Sequence, residues 1–191
     1  VSLLALFVGI VCGYLGVVVL QGEDIAYSSY AFVVSQSETE LNILTRDFSG
    51  LLPRLLNNAS VCFGIFIFSL IYRSYGALLT LTWNACHWGL LLAVLTTHGI
   101  DASTLSAPIF ILVVAIAILP HLLSEAAAYI MSCLCGVQAS VLLVGEKDPI
   151  TSTNTPAMLK LSLGALVLLT LGALLETRFA PAVLSLLSGG S

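Results

Sequence analysis

From residue 107 to residue 144 the chain carries one charged side chain, Glu125, and one histidine, His121, in an otherwise uncharged and mostly apolar run. A run of that length and composition is a membrane helix signal, because a bilayer crossing needs about 20 apolar residues. Hydrocarbon leaves no water to satisfy open N–H and C=O groups, which an α-helix pairs internally. Composition agrees: 8% of the residues are charged and the mean hydropathy is +1.08, where soluble domains have about 25% charged residues. Net charge is −4 and no basic run is present, which argues against nucleic acid as a partner. The fold expected is therefore all-α, a polytopic transmembrane helix bundle.

About five crossings are predicted, within a single membrane domain spanning residues 1–191. Ser2 to Leu20 is apolar and of crossing length. It reads as a retained first transmembrane helix (residues 1–20) rather than a signal peptide, because no basic stretch precedes it and Gln21-Gly22-Glu23 follows. Residues 21–56 are a polar and amphipathic segment. Leu41, Leu44, Phe48, Leu51, Leu52 and Leu55 recur at spacings of three and four, as on an interfacial amphipathic helix. Ser37-x-x-Glu40 is a capping-box match for its start, and Pro53 is expected to kink its far end. Residues 59–97 suit two crossings joined by a turn at Tyr72–Gly76, and 98–106 reads as a polar loop. The 107–144 tract is too long for one straight crossing of a ~30 Å core, so Pro120 is predicted to break or kink it. Residues 157–176 are the last crossing, closed by Glu176, Arg178 and Pro181. Basic residues outside the crossings tie between the two sides, Arg73, Lys147 and Lys160 against Arg46, Arg54 and Arg178, so orientation is not set by charge.

The expensive residues in such a chain are the polar ones inside apolar sequence. These are Asn57, Asn58, Asn84, His121, Glu125 and Glu176. His121 and Glu125 are four apart and share one helix face, a spacing that serves equally for a polar staple between helices, a proton shuttle or part of a metal site. Asn57-Asn58 reads most simply as a helix N-cap, and Asn84 with His87 as interhelical hydrogen-bonding groups. Gly9-x-x-x-Gly13 is a small-residue face for helix packing or dimer formation. The five cysteines all lie in apolar segments and give no disulfide framework. No HExxH, Gly-x-Ser-x-Gly or Walker loop is present, so no catalytic set, metal or cofactor is assigned.

In order along the chain, these residues form a series: Asn57-Asn58, then Asn84, then Pro120-His121 with Glu125, then Leu175-Glu176 with Pro181. The series resembles the stage II sporulation protein M family, whose pattern is an Asn-Asn pair, a later Asn-Gly, a Pro-His-Gly-x-x-x-Glu segment and a terminal Ile-Glu. The likeness runs from about residue 50 to 181 and sets residues 57–181 apart as the family-like helical core. Two positions depart from it: Ala85 follows Asn84 where the family has glycine, and Leu122 replaces the glycine after Pro-His. The resemblance implies a polytopic protein of a bacterial or archaeal cell membrane. In spore formers, such a protein scaffolds a peptidoglycan-remodelling complex with a separate cleaving partner. The expected partners are membrane lipids and other membrane subunits, with a homo-oligomer among the arrangements allowed. A transporter or channel with an intramembrane His/Glu/Asn site, and a metal-dependent intramembrane enzyme, are the competing readings of the same residues.

Overall fold

A computed structural model describes residues 3–21, 50–102, 105–144 and 155–188. The chain is a helical membrane protein: α1 (Leu3–Gln21), α2 (Leu51–Tyr72), α3 (Ser74–Ala102), α4 (Ala107–Val144) and α5 (Thr155–Leu174) are followed by a π-helical turn (Leu175–Phe179) and α6 (Ala180–Ser188). The capping box at Ser37–Glu40 and the amphipathic positions Leu41, Leu44 and Phe48 lie outside the described residues, while Leu51, Leu52 and Leu55 of that run belong to α2. Among the described residues three helices are long and apolar enough to cross a membrane: Leu51–Tyr72, Ala107–Val144 and the continuous stretch Pro156–Ser185. α1 contributes a shorter apolar helix, Ala5–Val18.

Several predicted boundaries move, each for an identifiable reason. Pro53 is the third residue of α2 rather than a kink in a preceding helix, and first-turn N–H groups have no intrahelical acceptor to lose. Asn57 and Asn58 consequently fall in the second turn of α2, not at its cap. The 98–106 loop is shorter than expected, because α3 runs on to Ala102. Pro120 does not break α4, which is α-helical throughout its 38 residues. Proline cannot donate to the carbonyl of Ile116, one turn earlier, but the turns on either side carry the helix across the gap. At 1.5 Å per residue α4 is about 57 Å long, nearly twice the hydrocarbon thickness. Nor does the last crossing end at Glu176 or Pro181. The backbone widens into one π-helical turn over Leu175–Phe179 and continues as α6. Pro181 cannot donate to Thr177, and a wider turn just before it accommodates the ring.

The described chain forms two compact units. One comprises Leu51–Thr82 and His121–Leu174: α2, the start of α3, the second part of α4, and α5. Its helix directions follow from the contacts. Asn58 meets Glu125, and a side chain on Gly136 would strike the backbone of Phe66 and Leu70, so α2 and α4 run parallel. Ser124 pairs with Leu168 while Cys135 pairs with Ser162, so α5 runs antiparallel to α4. The reversal between α2 and α3 takes a single residue, Arg73, at φ 51°. That left-handed conformation is usual for the residue ending a helix, but costs a non-glycine residue about 1–2 kcal/mol. Gly76 completes the turn, since a Cβ there would overlap the carbonyl of Phe68. The core of this unit includes Ile65, Leu122, Ala126, Ala128, Cys133 and Leu169.

The second unit holds α1, Trp83–Pro120 and the chain from Leu175 onward. Here α1 packs on α3 around Val18, Leu90 and Ala93, with Tyr14, Leu15 and Cys86 at the edge. Gly89 permits the closest approach: an added Cβ would lie 2.8 Å from Tyr14 Cβ and 2.9 Å from the Val11 carbonyl oxygen. Among the described residues, a Cβ at Gly9 or Gly13 would meet nothing within 4 Å.

Candidate functional site: a buried carboxylate between α2 and α4

Glu125 is 2% exposed, and its Oε1 accepts a hydrogen bond of 2.5 Å from Asn58 Nδ2 on α2. Asn58 is itself buried, whereas Asn57 is exposed with its Nδ2 3.5 Å from Asn58 Oδ1. Asparagine inside a helix is less favourable than alanine by roughly 0.7 kcal/mol at most. A side-chain bond between helices in a membrane bundle, about 0.6 kcal/mol on average and up to about 1.7, offsets that cost. The pair thus links two helices that are 67 residues apart in sequence.

Helical periodicity explains what surrounds the carboxylate. His121, one turn before Glu125, and Tyr129, one turn after, are both buried on the same face of α4. Ser132 follows at the next turn, and the Cys62 thiol, one turn beyond Asn58 on α2, lies against its hydroxyl. A polar stripe therefore runs along the α2–α4 seam from Asn58 and Glu125 to Cys62 and Ser132. On the α5 side the site is closed by Gly172. A Cβ there would stand 3.1 Å from Glu125 Cγ and 3.6 Å from the His121 carbonyl oxygen. Ser124, next to Glu125, turns the other way and donates a 2.8 Å bond to the Leu168 carbonyl. The carboxylate is thus fixed by one helix and packed by another, with the Ser124 bond tying α4 to α5 beside it.

Of the six polar residues picked out by sequence, Asn57, Asn58, His121 and Glu125 fall in this unit. Asn84 on α3 and Glu176 in the π-helical turn belong to the other one, where both are half-buried. Sequence reading joined His121 to Glu125 but missed Tyr129, Ser132 and Cys62, which the i+4 and i+7 positions from Glu125 and Asn58 would have supplied. It also missed Gly172, where α5 packs on the carboxylate. At the two family departures, Ala85 and Leu122 are both buried, so side chains occupy space that glycine would leave for a neighbouring backbone. Among the described residues no group of three or more His, Cys, Asp or Glu side chains could hold a metal ion.

Comparison with known proteins places residues 2–181 on the family model described as Stage II sporulation protein M. No curated protein and no solved structure matches the chain.

Proposed function

Because the chain belongs to the stage II sporulation protein M family, we propose that it is an assembly subunit of a complex in a bacterial or archaeal cell membrane, holding partners rather than transforming a substrate. The observation that carries this reading is the closure of the Glu125 site. A carboxylate committed to Asn58 at 2.5 Å and packed beneath Gly172 is suited to fixing the register of two helices. A transported ion or substrate would need room beside it, as helix-interrupted carriers provide at the bilayer midplane, and on the α5 side even a methyl group would crowd this one. Buried polar pairs that set register have precedent in helical assemblies. The partners of this reading are bilayer lipids and other membrane subunits, a second copy of the chain included. Peptidoglycan remodelling is the process such an assembly serves in the spore-forming members.

The test is the size of the particle in its own membrane. Native membranes cross-linked before mild-detergent extraction should give a discrete species larger than the 20.1 kDa chain. Migration as a monomer, with and without cross-linker, would overturn the proposal.

A further inference from the structure

The turn from α2 into α3 sets one basic side chain between two exposed aromatic ones. Arg73 is flanked by Tyr72, 57% exposed, and Tyr75, 82% exposed. The Tyr72 ring stacks on Phe68, one turn back along α2, with ring centroids 6.2 Å apart. α2 is long and apolar enough to cross a membrane and ends at Tyr72, so the turn falls where hydrocarbon gives way to headgroups. Tyrosines gather at that level because their rings are apolar and their hydroxyls are not. We propose that this turn binds the phosphate of an anionic phospholipid headgroup, with the Arg73 guanidinium as the recognising group.

Charge selects an anion. Because α2 runs parallel and α5 antiparallel to α4, the last turn of α2 and the first turns of α5 lie at one end of their unit. That end carries Arg73 and the exposed Lys160. Glu125 is the one acid among the unit's described residues. It lies level with Asn58, about 21 Å back along α2 from Tyr72, so the described residues at this end present positive charge to the headgroups. Chemistry selects a phosphate. The guanidinium fork matches two phosphate oxygens, and phenol hydroxyls beside it can donate to the same group. A choline headgroup brings its own ammonium to oppose the arginine, whereas an anionic headgroup does not. The backbone adds a separate indication. Arg73 stands at φ 51°, where glycine would sit without strain, and a strained residue in such a place points to a use for its side chain. The inference is independent of the assembly role, since a headgroup can occupy the turn whether or not the protein has partners.

The experiment uses the full chain reconstituted in vesicles of equal parts phosphatidylcholine and phosphatidylglycerol, extracted in mild detergent and weighed by native mass spectrometry. Bound phosphatidylglycerol is expected to exceed bound phosphatidylcholine by about fivefold or more, the preference that one juxtamembrane cation supplies. Arg73→Gly removes the guanidinium while relieving the backbone, so it should keep the parent's circular dichroism spectrum and lower the preference about fivefold. Arg73→Gln, which keeps a side chain at the turn, should lower it equally. Inorganic phosphate should displace no more lipid than chloride at matched ionic strength, since a free ion lacks the acyl chains that hold a headgroup at the turn. Equal retention of the two lipids by the parent would overturn the proposal. So would an unchanged preference in either folded variant, or displacement of the lipid by inorganic phosphate.

Discussion

Truncating Glu125 should cost far more than neutralising it. In Glu125→Ala the interhelix bond to Asn58 is lost, about 0.6–1.7 kcal/mol in a membrane bundle. The Asn58 amide, buried beside it, is left without its 2.5 Å acceptor, an added penalty of about 1–3 kcal/mol. Gly172 packs close to Glu125 Cγ, so removing that atom also opens a void. The expected loss is about 2–4 kcal/mol. Glu125→Gln keeps an oxygen that Asn58 Nδ2 can reach and nearly the same volume, so its loss should stay within about 1 kcal/mol. Reversible unfolding in mixed micelles, or steric trapping in bicelles, reads these differences directly. A double-mutant cycle of Glu125→Ala with Asn58→Ala should give a coupling of about 0.6–1.7 kcal/mol. Coupling no greater than the roughly 0.3–0.5 kcal/mol scatter of independent sites would refute the staple.

Glycine contacts separate the helix faces that carry packing from those that do not. Gly136→Ala drives a methyl into the backbone of Phe66 and to 2.9 Å from Ser69 Cβ, and should cost about 1–3 kcal/mol in the same unfolding assay. A methyl at Gly13 would meet none of the described residues, so Gly13→Ala should be neutral or stabilising by up to about 1 kcal/mol. If instead it disrupts a dimer seen by cross-linking, the Gly9/Gly13 face packs against a second copy. Arg73→Gly relieves the φ 51° conformation and should raise the free energy of unfolding by about 1 kcal/mol or less once the freer unfolded chain is counted. Pro120→Ala restores an N–H inside a continuous helix and should preserve helix content by circular dichroism while raising stability by up to about 3 kcal/mol. Loss of helix there would mean that the proline is required for the local backbone.

Hydropathy made the helical membrane class legible, because lipid imposes it on any chain of this composition, and the one-residue turn at Arg73 was marked by its flanking tyrosines. The helix ends were less legible, for a shared reason. Pro53 was read as a kink, Pro120 as a break or kink and Pro181 as an end, yet one sits in a first turn, one is bridged by its neighbours and one follows a π-helical turn. Proline reports only that an N–H is missing. Whether a helix ends there depends on packing that sequence does not display. The site was legible in part. His121 and Glu125 share a face through local spacing, but the partner at Asn58 lies 67 residues away, and a capping role described it equally well. Gly9-x-x-x-Gly13 was singled out as the motif, whereas helices touch at Gly89, Gly136 and Gly172, the first two within Ala85-x-x-x-Gly89-x-x-x-Ala93 and Ser132-x-x-x-Gly136-x-x-x-Ser140.

Comparing Glu125→Gln and Glu125→Ala with the parent in native membranes tests most directly whether the buried carboxylate holds an assembly together. After cross-linking and native separation, the glutamine variant should retain the large species at parental abundance, and the alanine variant should lose it together with chain stability. Equal loss of the complex in both variants, with the glutamine form folded as stably as the parent, would contradict the account. The carboxylate would then be needed for its charge or its proton rather than as a hydrogen-bonded staple.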